Sequence, residues 1–121
     1  MTESSEPSAL TLENIGEVTL ATVHLSELPT TVTDQLLLHL QRQTQPGKPP
    51  RLVLDLSGVK FVDSIALGTL VVMLRRIKQA QGRFALAGMS GHVLNVMRVT
   101  GLDKVFQLYP TVGEALAAVK E

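Results

Sequence analysis

At 121 residues, with 45% hydrophobic and 18% charged side chains, the chain has the size of one folded unit and is expected to form a single compact domain. Eleven basic and eleven acidic side chains leave no net field, which disfavours holding nucleic acid or an anionic bilayer by charge alone. The absence of cysteine excludes disulfides, thiolate nucleophiles and zinc–thiolate sites, and is compatible with a reducing cytoplasm.

Residues 1–8 are polar, carry Glu3 and Glu6, and show no basic-then-apolar leader pattern. They are expected to form a disordered tail ahead of a domain spanning 9–121. Ala9–Asn14 and Glu17–Val23 carry alternating or β-branched apolar positions around the turn residues Asn14-Ile15-Gly16, which predicts a β-hairpin. Thr31-Val32-Thr33-Asp34 has capping-box spacing, so a helix is expected from there to about Thr44. The proline-rich stretch Gln45–Pro50 cannot continue it and reads as a loop.

Leu52–Leu56 is an almost unbroken apolar run of strand length, the pattern of a central strand covered on both faces. Its end delivers Asp55, Ser57 and Gly58 to a rim. After Asp63-Ser64, residues Ile65 to Gln81 are apolar nearly all round for three turns before Arg75, Arg76 and Lys78, predicting a helix with a buried N-terminal half that Gly82 stops. Arg83–Ala87 reads as a further buried strand. A short helix follows Gly91, with Gly101 as its left-handed cap. Lys104–Tyr109 is expected to be the last strand, and Thr111-Val112-Gly113-Glu114 repeats the capping-box spacing before a final helix. The order β-β-α-β-α-β-α-β-α predicts an α/β fold, in which a mixed, mostly parallel sheet opens with a hairpin and carries four packed helices.

The apolar stretches are broken by Asp63, Ser64, Arg75 and Arg76 well short of the ~20 residues a membrane helix needs, so a soluble cytoplasmic protein with no membrane contact is expected. Phe61, Phe84, Phe106 and Tyr109 are too few for a base-stacking platform, and no nucleic-acid partner is expected. His24, His39 and His92 lack metal-ligand spacing. Gly88-Met89-Ser90-Gly91-His92 resembles a nucleophile elbow only until its last position, where His92 replaces the required glycine.

Asp63-Ser64 is the pair with chemical potential, because it stands where a loop turns into a helix whose first amides have no intrahelical acceptor. Either residue can serve simply as an N-cap. Alternatively, Ser64 accepts a phosphoryl group, since a helix N-terminus offers amides and the positive end of a dipole to phosphate oxygens. Asp55 is either a loop-capping carboxylate or a neighbour of that site, and the two alternatives are evenly matched.

The run from Leu54 to Gly68, Leu-Asp-Leu-Ser-Gly-Val-Lys-Phe-Val-Asp-Ser-Ile-Ala-Leu-Gly, resembles the signature of STAS domains of the anti-sigma factor antagonist type. Thr100–Phe106 resembles the family's second landmark. The resemblance implies a protein-binding module without catalytic activity, cofactor or metal. It further implies that a partner acting as both serine kinase and anti-sigma factor phosphorylates Ser64. The unmodified antagonist binds that partner and frees a sigma factor, the phosphorylated form lets go, and a serine phosphatase resets it. The partner-binding residues expected are Asp55, Asp63, Ser64, Ile65, Ala66 and Leu67. The chain departs from the common pattern at Ile65 and Ala66, where a small residue and glycine are usual, and at Pro29, where an aspartate often stands. The alternatives are a stressosome-like scaffold that no kinase switches, and a module for a nucleotide or small apolar molecule at the strand ends. A weak homodimer is compatible with either.

Overall fold

The computed structural model describes residues 9–43 and 46–120. The expected tail 1–8, and the predicted helix end at Thr44, lie outside the described residues. Five strands form one sheet in the order β1-β2-β3-β4-β5: β1 (Leu10–Ile15), β2 (Val18–Val23), β3 (Arg51–Asp55), β4 (Arg83–Ala87) and β5 (Gln107–Tyr109). β1 pairs antiparallel with β2, and all other neighbours are parallel. The expected α/β architecture is therefore the observed one, with α1 (Thr30–Gln43), α2 (Ser64–Gln79) and α3 (Gly91–Val99) as crossovers and α4 (Val112–Lys120) closing the chain.

Alternation along β3 explains why that strand reads as continuously apolar. Leu52 and Leu54 face α1, α2 and α3 in the larger core, whereas Val53 faces α4 with Val18, Ala85, Ala115 and Val119. All three β3 residues are completely buried, and full burial of an aliphatic side chain contributes about 1.5–3 kcal/mol. Phe84 of β4 meets Phe106 edge-on with ring centroids 6.0 Å apart.

Several element ends differ from the sequence expectation. The hairpin turn is Gly16-Glu17, with Ile15 paired to Val18, because Gly16 takes the left-handed φ of 62° that a tight two-residue connection requires. Helix α1 starts at Thr30, not at Thr31: the Pro29 carbonyl accepts from Val32 N–H at 3.0 Å, and the buried Thr33 donates its hydroxyl to Thr30 O at 3.1 Å. Leu102–Lys104 forms a turn of 3-10 helix, which shortens the last strand to Gln107–Tyr109. At α4 the predicted cap is present. Thr111 Oγ1 accepts from Glu114 N–H at 3.2 Å, and its hydroxyl donates to Glu114 Oε1 at 3.0 Å.

The end of α2 shows a more instructive difference. Gly82 N–H donates to Ile77 O and Gln81 N–H to Lys78 O, the paired bonds of a Schellman motif, but the left-handed residue is Gln81 (φ 62°). Gly82 stands one position later, where a Cβ would overlap the Pro50 carbonyl oxygen and approach Ile77 Cγ2 at 2.9 Å. Arg83 N–H donates to that same carbonyl at 2.9 Å, so β4 enters the sheet only if residue 82 has no side chain.

Candidate functional site

The site is a loop and a helix start held at the C-terminal ends of the parallel strands. After β3, the Leu56 carbonyl accepts from Val59 N–H at 3.0 Å, while Lys60 and Phe61 N–H both donate to Ser26 O, at 2.7 and 3.1 Å. Phe61 also bridges Glu27 in parallel. The segment is thereby stitched to the loop that follows β2, and Ser90 Oγ donates to Val59 O at 3.3 Å from the other side. The nucleophile-elbow serine is thus a strut for this loop.

Asp63 caps α2. Its backbone is extended (φ −108°, ψ 176°), Oδ1 accepts from Ala66 N–H at 2.8 Å, and its carbonyl accepts from Leu67 N–H at 3.0 Å. Of the two residues that the sequence left open as the N-cap, only one makes the cap bond. Asp63 performs the capping, and Ser64, the exposed first residue of the helix, has a hydroxyl that bonds to no described group. Asp63→Ala is expected to cost about 1 kcal/mol and lower the thermal midpoint by several degrees, with Asp63→Asn close to wild type; calorimetric melting of both variants checks this.

The other expected site residues divide by helix geometry. Ile65 is 63% exposed beside Ser64. Ala66 and Leu67, expected on a partner-facing surface, are instead in the core at 0% and 8% exposure. Successive helical residues rotate by about 100°, so Ser64, Ile65 and Gly68 face out where Ala66, Leu67 and Leu70 face in. For the same reason α2 buries one stripe along its whole length, not its N-terminal half.

Asp55 is not brought to Ser64 by its contacts. In β3 it alternates onto the α4 side with Val53, opposite the face that α2 covers. Its Oδ1 accepts from Ser57 N–H at 3.0 Å and lies where a Cβ on Gly88 would meet it at 3.2 Å. That is the loop-capping role.

Phe61 and His92, not placed among the site residues from the sequence, meet at the loop before α2. Phe61 is 55% exposed, and its ring meets the His92 ring edge-on with centroids 5.4 Å apart. The available signal was the pair Phe61-Val62 directly before the cap, of which the structure buries only Val62 in part. Exposed Phe61 in the loop before α2 and exposed Ile65 in its first turn stand close in sequence to the Ser64 hydroxyl, which has no described partner, and exposed apolar side chains of this kind suit binding to a macromolecular surface.

The STAS domain family profile matches residues 9–115. A relative from Thermotoga maritima is 36% identical over 70 residues, covering 58% of this chain and 62% of its own length. The anti-sigma-F factor antagonist RsfB of Mycobacterium tuberculosis is 33% identical over 72 residues, covering 60% of this chain and 58% of its own. The chain thus aligns with less than two thirds of the length of these relatives. The solved structure of an anti-sigma-factor antagonist (STAS) domain protein from Planctomyces limnophilus superposes with a TM-score of 0.78 at 30% identity, covering 93% of this chain and 98% of that one.

Proposed function

From the premise that the chain belongs to the STAS domain family, we propose that it is an anti-sigma factor antagonist whose binding surface is centred on Ser64 and switched by phosphorylation there. The observation that carries this reading is the division of labour at α2: Asp63 satisfies the cap, so the Ser64 hydroxyl is exposed and owes nothing to the fold. A phosphoryl group can be attached to Ser64 without removing a structural bond. The free amides of the first turn and the helix dipole then stabilise the added charge of about −1.5 to −2.

In the unmodified state, Ile65 and Phe61 offer apolar contact to a partner that is both an anti-sigma factor and a serine kinase, and its sequestration frees a sigma factor. Phosphorylation places a dianion among these contacts, next to the Asp63 carboxylate, and the partner leaves; a serine phosphatase restores the binding form. The names of the relatives, among them RsfB, support an anti-sigma factor as the partner.

Intact-mass analysis after incubation with ATP and a serine-kinase anti-sigma factor tests the assignment. A single phosphoryl increment that maps to Ser64 and vanishes in Ser64→Ala is the expected result. Phosphorylation at another residue, or none under conditions where the kinase modifies its own antagonist, overturns it.

A further inference from the structure

Every lysine and arginine of the chain except Lys60 lies toward one end of the domain. The cause is topological. Parallel strands joined by crossover helices make all the helices finish at the same pole, and each finishes on a base: Arg42 in α1, Arg76 and Lys78 in α2, Arg98 in α3 and Lys120 in α4. β3 and β4 begin at that pole with Arg51 and Arg83, partners across the ladder. The carboxylates separate the other way. Glu27, Asp34, Asp55, Asp63 and Glu114 lie at the Ser64 pole, leaving Glu13, Glu17 and Asp103 as the described acids of the basic half.

These cations are largely unengaged. Arg51 donates to the carbonyls of Val119, at 3.2 Å, and Lys120, whereas Lys78, Arg83, Arg98 and Lys104 are exposed and form no ion pair with a described carboxylate. Apolar side chains project among them. Val99 at the end of α3 is 78% exposed, and Val105, 46% exposed, lines a cleft of about 300 Å³ with Lys78, Arg83 and Gln107.

We propose that this pole docks on an anionic bilayer, with Lys78, Arg83, Arg98 and Lys104 at the headgroup phosphates and Val99 and Val105 in the interfacial layer. Each lysine or arginine held near such a surface strengthens binding about fivefold, and fluid headgroups rearrange beneath the cations without a matched register. Nucleic acid fits less well: Phe84 and Phe106 near this pole are buried, which leaves no ring for base stacking, and the exposed valines would be set against phosphates. The acidic pole of a second copy also has complementary charge. Exposed ion pairs between rigid surfaces, however, add at most about fivefold each and demand aligned positions. This docking is independent of the Ser64 assignment.

Co-sedimentation of the full chain with vesicles of equal parts phosphatidylserine and phosphatidylcholine tests it, beside vesicles of phosphatidylcholine alone and a DNA duplex. Binding is expected only to the anionic vesicles and is expected to fall steeply with salt. Lys78→Glu with Arg83→Glu lowers it by about several hundredfold, and Val99→Ser by severalfold at every salt concentration. Lys60→Glu makes the same kind of charge change at the opposite pole and leaves binding nearly unaltered; thermal melting confirms that each variant is folded. No binding to the anionic vesicles, a loss from Lys60→Glu equal to that of either basic-pole reversal made singly, or tighter binding to the duplex overturns the proposal.

Discussion

Ser64→Asp is expected to weaken binding to the proposed anti-sigma partner by about 30-fold or more, while Ser64→Ala keeps it within about threefold. The Ala variant loses no bond, because the hydroxyl has no partner among the described residues. The Asp variant places a carboxylate next in sequence to Asp63, whose Oδ1 is already engaged with Ala66 N–H, and next to the exposed Ile65. An apolar contact that must desolvate such a charge, or oppose it with another carboxylate, loses roughly 2–5 kcal/mol at intermediate effective dielectric. The same substitution favours the fold, since a negative charge in the first turn of a helix contributes about 0.3–1 kcal/mol. Titration calorimetry against the partner and thermal melting therefore move in opposite directions for Ser64→Asp. A generally damaged protein would lose both, and equal partner binding by the two variants would overturn the proposed switch at Ser64.

Gly82→Ala is expected to destabilise the domain by about 3 kcal/mol, a fall in melting temperature on the order of 10 °C. The new methyl group would overlap the Pro50 carbonyl, which is also the acceptor for Arg83 N–H. Relief by moving Pro50 therefore loosens the entry of both β3 and β4. Gln81→Gly should act in the opposite sense, raising stability by about 1 kcal/mol, because residue 81 holds the positive φ that a side chain disfavours. Urea unfolding of the two variants separates these effects. If Gly82 were simply the helix stop, its replacement would cost little and Gln81→Gly would give nothing.

The neighbouring positions 81 and 82 show where sequence patterns reach their limit. A glycine after a helical run signals a terminus correctly. Whether it supplies a left-handed φ or room for a distant carbonyl depends on Pro50, more than thirty residues earlier in the chain. The capping-box spacing illustrates the same point. It describes the start of α4 at Thr111 but misplaces the start of α1, where Thr31 has the pattern and Pro29 has the position. Local hydrogen-bonding capacity is written in the residues, and competition between adjacent starts is resolved by which side chains the core accepts, here Val32, Thr33 and Leu36.

For the candidate site, the Asp63-Ser64 pair was legible because a cap followed by a serine is a local chemical pattern. The surface around it was not. Ala66 and Leu67 read as apolar neighbours of Ser64, but the direction in which α2 presses onto the sheet buries both and leaves Ile65 outside. Phe61 reaches the site through the stitching of its backbone to Ser26 and the packing of its ring on His92, contacts between loops distant in sequence.

Composition and apolar periodicity alone specify the order of elements, the central place of β3 and the helix start at Asp63-Ser64, since each follows from interactions within a few residues. Tertiary structure decided the rest: which of two adjacent groups faces solvent, which glycine must lack a Cβ, and how equal numbers of positive and negative side chains are distributed in space. The last has a simple cause. Bases at the ends of helices cost nothing in net charge when acids stand elsewhere, but parallel crossovers bring all those ends to one pole, so a chain neutral in total presents a strongly polarised surface.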